Sequence, residues 1–229
     1  MKQKFTILFD LDGTLVDTAP DLMRAHNHVM KKFGYPTKST EEIRNLVGQG
    51  AGAMLGRSIW GQAKKEFGKV QDDKIKKEMV KDFVDFYGKN IVNESKLVNG
   101  VKDFLVWSKK NKISMAVCTN KQEHLAIEVL KKIKIYDFFE YVAGGNTFEY
   151  CKPDPRHITN MVEVMGGEIK NTIMIGDSEN DADAAKSAGV PMILIEDGYT
   201  EKKVEQIYHN HLIKDFVDLD QLILKYIND

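Results

Sequence analysis

Cysteine is the first shortage. Cys118 and Cys151 are the only two in 229 residues, too few for a disulfide-framed secreted scaffold. An excess of one charge is missing too: 33 Lys+Arg against 34 Asp+Glu leave a formal charge of −1. Such neutrality carries no electrostatic footprint for nucleic acid or an anionic membrane. No uncharged apolar run approaches the roughly 20 residues that span a bilayer. Behind the basic start Met1–Lys4, the apolar stretch stops after five residues at Asp10, too short for a signal peptide. The six histidines form no metal signature: His26 and His28 sit two apart on one predicted helix, and His209 and His211 fall in the final loop region. Internal repeats and low-complexity tracts are also absent. What remains is 42% hydrophobic and 29% charged, the profile of a cytoplasmic globular protein with one substantial core or a core plus a smaller unit.

Six short apolar, β-branched runs predict strands: Phe5–Phe9, Ile113–Val117, Phe138–Ala143, Thr172–Ile175, Met192–Ile195 and Leu212–Ile213. They show little polar alternation, which marks strands buried on both faces. Helical spacing separates most of the later ones, as in Val101, Phe104 and Leu105, Leu125 with Val129, and Ile158, Met161, Val162 and Met165. The alternation predicts a parallel sheet sandwiched between helices. One interval breaks it. About a hundred residues without a convincing strand separate the first run from the second, too many for an ordinary crossover. Pro20 stands where a first helical residue belongs, followed by Leu22, Val29, Met30 and Phe33. Ser39-Thr40-Glu41-Glu42 has capping-box spacing ahead of Ile43, Leu46 and Val47, and Ile75, Met79, Phe83, Phe86 and Tyr87 mark a long third helix. Residues 17–94 are therefore expected to be a helical unit inserted into an α/β core made of 1–16 and 95–229. The lysines of Lys64–Lys89 are interleaved with acids and read as a solvated helix face.

Ligands of doubly wound sheets bind beyond the carboxyl ends of the strands. The first run ends in Phe9-Asp10-Leu11-Asp12-Gly13-Thr14, two carboxylates leaving a buried strand, which is costly unless they are paired or metal-bound. The second ends in Cys118-Thr119-Asn120-Lys121, and after the third comes Cys151-Lys152-Pro153-Asp154-Pro155. The fourth runs into Gly176-Asp177-Ser178-Glu179-Asn180-Asp181. Each alone is an ordinary turn or cap. Together they suit phosphoryl chemistry. Gathered acids repel one another unless a hard cation sits among them, and oxygen-only ligation suits Mg2+. A hydroxyl and a lysine supply donors for phosphate oxygens. Asp10 or Asp12 can then attack phosphorus as a carboxylate nucleophile.

The order of these residues resembles the haloacid dehalogenase superfamily, whose four motifs match Asp10-Leu11-Asp12-Gly13-Thr14, Thr119, Lys152 and Gly176-Asp177…Asp181 over nearly the whole chain. The resemblance implies a Rossmann-like three-layer α/β/α core with a small α-helical cap inserted after the first strand. It implies Asp10 as nucleophile, Asp12 as general acid/base, and Thr119, Asn120 and Lys152 around the phosphoryl group. Mg2+ would be held by Asp10, the backbone carbonyl of Asp12 and Asp177, with Asp181 in support.

Within that superfamily, dehalogenases lack the second aspartate, so Asp12 argues against them. The phosphonate-cleaving branch needs a Schiff-base lysine in its cap, and no such motif is recognisable. Mutases of the β-phosphoglucomutase type carry cations where Val47 and Ala51 stand. The cap segment Ile43–Gly50, continuing through Leu55–Ile59, looks like that of bacterial phosphoglycolate phosphatases. The expected reaction is Mg2+-dependent hydrolysis of a small phosphomonoester through an aspartyl phosphate, with 2-phosphoglycolate the leading substrate. Sugar or amino-sugar phosphates, or a mutase reaction on the same core, are the alternatives, and a phospho-dependent receiver module is a third class. A carboxylated substrate needs a cation near the closed cap, which Arg44 or Arg57 is expected to provide, with Gly48 and Gly50 allowing close backbone approach.

Overall fold

The computed structural model describes residues 5–60, 73–200 and 202–228. The basic tetrapeptide Met1–Lys4, the part of the lysine-rich stretch before residue 73 and the side chain of Ile75 lie outside the described residues.

The apolar runs assemble into one parallel sheet. Its strands are β1 (Thr6–Phe9), β4 (Ser114–Cys118), β5 (Tyr141–Ala143), β6 (Thr172–Gly176), β7 (Met192–Ile195) and β8 (His211–Ile213), in the order β5-β4-β1-β6-β7-β8. Central β1 pairs Thr6 with Ser114 of β4 and with Thr172 of β6. Successive side chains of a strand face opposite ways. Ile7 and Phe9 therefore pack with Met115, Val117, Ile173 and Ile175 on one face, and Leu8 packs with Ala116, Cys118 and Met174 on the other. The first face is covered by α5 (Val101–Lys110), α6 (Glu123–Lys132) and α9 (Leu219–Asn228). Opposite lie α7 (Arg156–Val164) and α8 (Glu179–Ala188). These are the three layers expected. One run was too generous: only Tyr141–Ala143 of Phe138–Ala143 is strand, because Tyr136–Phe138 closes a short 3-10 turn.

The long interval is helical but not strandless. Val16–Asp17 (β2) and Lys96–Leu97 (β3) pair antiparallel, so the chain leaves and re-enters the sheet layer side by side. Between them lie α1 (Ala19–Phe33), α2 (Thr40–Arg44), α3 (Ala51–Trp60) and α4 (Asp73–Lys89), with α1 packed on α2 and α4, and α3 packed on α4. The capping box forms as read: the Ser39 hydroxyl accepts the Glu42 N–H while Glu42 accepts the Ser39 N–H. Asp21, in the first turn of α1, fastens the returning chain. Its carboxylate accepts the backbone N–H groups of Asn93, Glu94 and Ser95 and the Ser95 hydroxyl.

Candidate active site

The carboxyl ends of β1, β4 and β6 converge because these strands are neighbours in register. Asp10 is fixed as it leaves β1 by its N–H, which donates to the Ile175 carbonyl at 2.9 Å. The chain then turns through Gly13 at φ +88°, where a Cβ would lie 2.2 Å from Asp177 Oδ2. Only glycine fits there. Asp177 leaves β6 and is held at both oxygens, Oδ1 by the Thr14 hydroxyl at 2.9 Å and Oδ2 by the Tyr199 N–H at 2.7 Å. Asp181 sits one turn into α8. Its Oδ2 accepts the Ser178 N–H at 3.1 Å, the Ser178 hydroxyl at 2.7 Å and the Asp177 N–H at 3.3 Å.

Lys152 arrives from the turn after β5, 3% exposed, with Nζ 2.7 Å from Asp10 Oδ1 and 2.6 Å from Asp181 Oδ1. Burial disfavours its charged form, but Asp10 and Asp181 outweigh that and raise its pKa. Asp10 is pushed up to about 6, chiefly by burial and against the pull of Lys152, with Asp181 adding repulsion. Burial together with Asp181 and Asp10 lifts Asp177 well above the usual carboxylate range. Three carboxylates so placed repel, and one lysine does not neutralise them. Ligand oxygens of Asp10, Asp177 and Asp181 all lie within 4.8 Å of one another. An all-oxygen, buried, over-acidic cluster of this kind fits a hard divalent cation.

Asp12 stands apart from that cluster. Both its oxygens face Lys121 Nζ, at 2.9 and 3.0 Å, and Oδ1 also accepts the Thr18 hydroxyl at 2.6 Å. The Lys121 ammonium lies 4.4 Å from the centre of the Tyr87 ring, which belongs to α4. Burial opposes the charge on Lys121, yet Asp12 keeps its pKa raised. Thr119, directly after β4, is buried, with its N–H on the Ala143 carbonyl at 2.9 Å. Asn120 departs from its expected role: its amide N–H groups are both spent, on the carbonyls of Gly48 at 2.9 Å and Lys152 at 2.7 Å. It ties the helical insertion to the core, so its side chain has no donor left for phosphate.

A cavity of about 370 Å3 opens between core and insertion. Asp10, Asp12, Thr119, Asn120, Lys152, Asp177 and Asp181 border it from the core, and Gly48 and Gly50 from the insertion. Arg44 and Arg57 do not border it, a correction to the expected cap cations. Arg44 Nη2 donates to Asp17 Oδ2 at 2.7 Å, and its guanidinium lies 5.3 Å from the Tyr199 ring centre. Arg57 donates to the Leu46 and Val47 carbonyls and so braces the loop that leads to Gly48. Three residues outside the expected set matter here: Lys121, Thr14 and Tyr199. Lys121 directly follows Thr119-Asn120, and Thr14 lies in the Asp-Leu-Asp-Gly-Thr turn, so position alone could have flagged both. Nothing local announces Tyr199, whose hydroxyl donates to Asp17 Oδ1 at 2.5 Å and accepts the Ala19 N–H at 2.8 Å.

Comparison with known proteins now bears on this geometry. The family model described as haloacid dehalogenase-like hydrolase matches residues 7–195. A phosphoglycolate phosphatase of Caulobacter vibrioides is 39% identical over 93% of this chain and 88% of its own length. One from Agrobacterium fabrum is 36% identical over 93% of this chain and 89% of its own. Among solved structures, a chain from Haemophilus somnus described as a predicted phosphoglycolate phosphatase superposes with a TM-score of 0.88 at 30% identity. The match covers 97% of this chain and 99% of that one.

Proposed function

The chain belongs to the haloacid dehalogenase-like hydrolases and is a phosphoric monoester hydrolase, and from that premise we propose that it hydrolyses 2-phosphoglycolate to glycolate and phosphate with Mg2+ as cofactor. The observation that carries the chemistry is Asp10: a buried carboxylate at a strand end, one oxygen on Lys152, facing a cavity that Thr119, Asp12 and Asp177 share. The names of the relatives support the two-carbon substrate. In this reading the helical insertion is a cap that shuts the cavity from bulk water.

The free oxygen of Asp10 attacks phosphorus, the bond to the leaving oxygen breaks, and an aspartyl phosphate forms. Asp12, held by Lys121 and Thr18, delivers the proton to the leaving glycolate oxygen. Asp12 then takes a proton from water as it attacks the aspartyl phosphate, releasing phosphate and restoring Asp10. Lys152 and Thr119 bind the phosphoryl oxygens, and Lys152 also offsets the charge that Asp10 presents to an anionic substrate. Asp10, the Asp12 carbonyl and Asp177 would hold Mg2+, with Asp181 bracing Lys152 and the turn before α8. When bound, the metal offsets the negative charge of the acids and of the phosphoryl group.

Phosphate release from a panel of phosphoesters, with and without Mg2+, tests the reading, with 2-phosphoglycolate expected to give the highest kcat/KM. A sugar phosphate in that place, or isomerisation without net phosphate release, would refute it. Asp10→Asn should fall to background on every ester while the fold survives. Asp12→Asn should keep part of its activity on p-nitrophenyl phosphate, whose leaving group needs little protonation. Equal losses by both variants on activated and unactivated esters would contradict this division of labour.

A further inference from the structure

Resting on the 2-phosphoglycolate reading, we infer that Lys121, a core residue, binds the substrate carboxylate and is the specificity determinant of the site. The argument starts from Asp12. If Asp12 protonates the leaving oxygen, that oxygen lies within hydrogen-bond reach of its carboxylate. In 2-phosphoglycolate a single methylene separates the leaving oxygen from the carboxylate carbon. The cation that meets the carboxylate must therefore be a neighbour of Asp12. Among the described residues bordering the cavity there are two cations, Lys121 and Lys152. Lys152 lies between Asp10 and Asp181, at the phosphoryl end. Lys121 lies against Asp12.

Lys121 suits the task physically. Its side chain is 5% exposed, so water screens a new ion pair weakly. An ammonium carries three N–H groups, and contacts with the two Asp12 oxygens leave it capacity for a further acceptor. The ring centre of Tyr87, a residue of α4 that lines the same cavity, lies 4.4 Å from the Lys121 ammonium. Phe83, Val84, Val80 and Met54 line the same cavity from the insertion. That apolar stretch of wall accepts a methylene. Arg44 and Arg57 are held elsewhere, one by Asp17 and the other on loop carbonyls.

The test compares kcat/KM for 2-phosphoglycolate and its neutral carboxamide, 2-phosphoglycolamide, in the Mg2+-loaded enzyme. The ratio within one preparation is independent of how much of it is correctly folded. The wild type should favour the acid by at least about thirty-fold, as for a desolvated charge pair. Lys121→Met should collapse that ratio by at least about tenfold, and Lys121→Arg, which keeps the charge, should retain most of it. Calorimetric binding of glycolate and of inorganic phosphate gives a readout that needs no turnover. Lys121→Met should lose glycolate affinity and keep phosphate affinity. A ratio that survives Lys121→Met, or unchanged glycolate affinity, overturns the assignment and leaves the phosphoglycolate reading standing. A wild type indifferent to the carboxylate overturns both.

Discussion

His157 never meets solvent, yet the backbone of Lys152 leans on it. Its Nδ1 accepts the Lys152 N–H at 3.3 Å, and its ring meets the edge of Phe148. Burial first, and then the neighbouring Lys152 charge, push its pKa down to about 3. In the unfolded chain the imidazole takes its proton near 6.5. Between those values the unfolded state binds a proton that the native state refuses. Its contribution to stability is complete above pH 6.5 and declines as pH falls toward 3, by up to about 1.4 kcal/mol per unit. Urea unfolding of wild type and His157→Gln at pH 7, 6, 5 and 4 should show a shallower acid decline in the variant. Parallel declines would refute this. The buried acid cluster was legible for a simple reason: acids leaving buried strands are costly, so Asp10 and Asp177 stand out against their apolar neighbours. The position of Lys121 after Thr119-Asn120 could flag the residue, but not its partners. Its significance lies in Asp12 and Tyr87, both remote in sequence, and no local pattern encodes that meeting.

At the scale of elements, capping and periodicity carried the reading and short pairing defeated it. The capping box before α2 and the apolar face of α4 were visible because each is written within one turn or one helix. β2 and β3 are two residues each, below any alternation a sequence can display. α3 begins Ala-Gly-Ala, and two glycines in ten residues weaken a helical signal that tertiary packing restores. α1 owes part of its place to Asp21, which satisfies three backbone N–H groups of the returning chain. Asp21→Ala leaves those donors without their acceptor, and the expected loss is about 3 kcal/mol or more. Chemical denaturation measures it. A loss below about 1 kcal/mol would mean that water replaces the carboxylate.

For the whole molecule, the three-layer core was legible from strand–helix alternation, whereas the placement of Arg44 and Arg57 depended on how the insertion meets the core. Under the proposed function, the acid cluster would couple that assembly to a divalent cation. A cation that binds Asp10 and Asp177 only in the native state stabilises it by about 2.7 kcal/mol at a hundred times its dissociation constant. Thermal melts should therefore rise with added Mg2+ in the wild type and stay flat in Asp177→Ala. Equal rises would place the cation elsewhere.

The β2–β3 ribbon also bears on how the chain finds its fold. β1 must pair with β4 and β6, both far along the chain, and such distant pairings make slow nuclei. Closing a flexible loop costs about 0.6 kcal/mol more with each doubling of its length. If α1 to α4 form first and zip Val16–Asp17 onto Lys96–Leu97, the effective loop between β1 and β4 shrinks to the short turn before the ribbon and the α5 segment after it. Folding order is thus written into the place of the insertion. The segment that borders the cavity would then serve first as the clip that brings the central strands together.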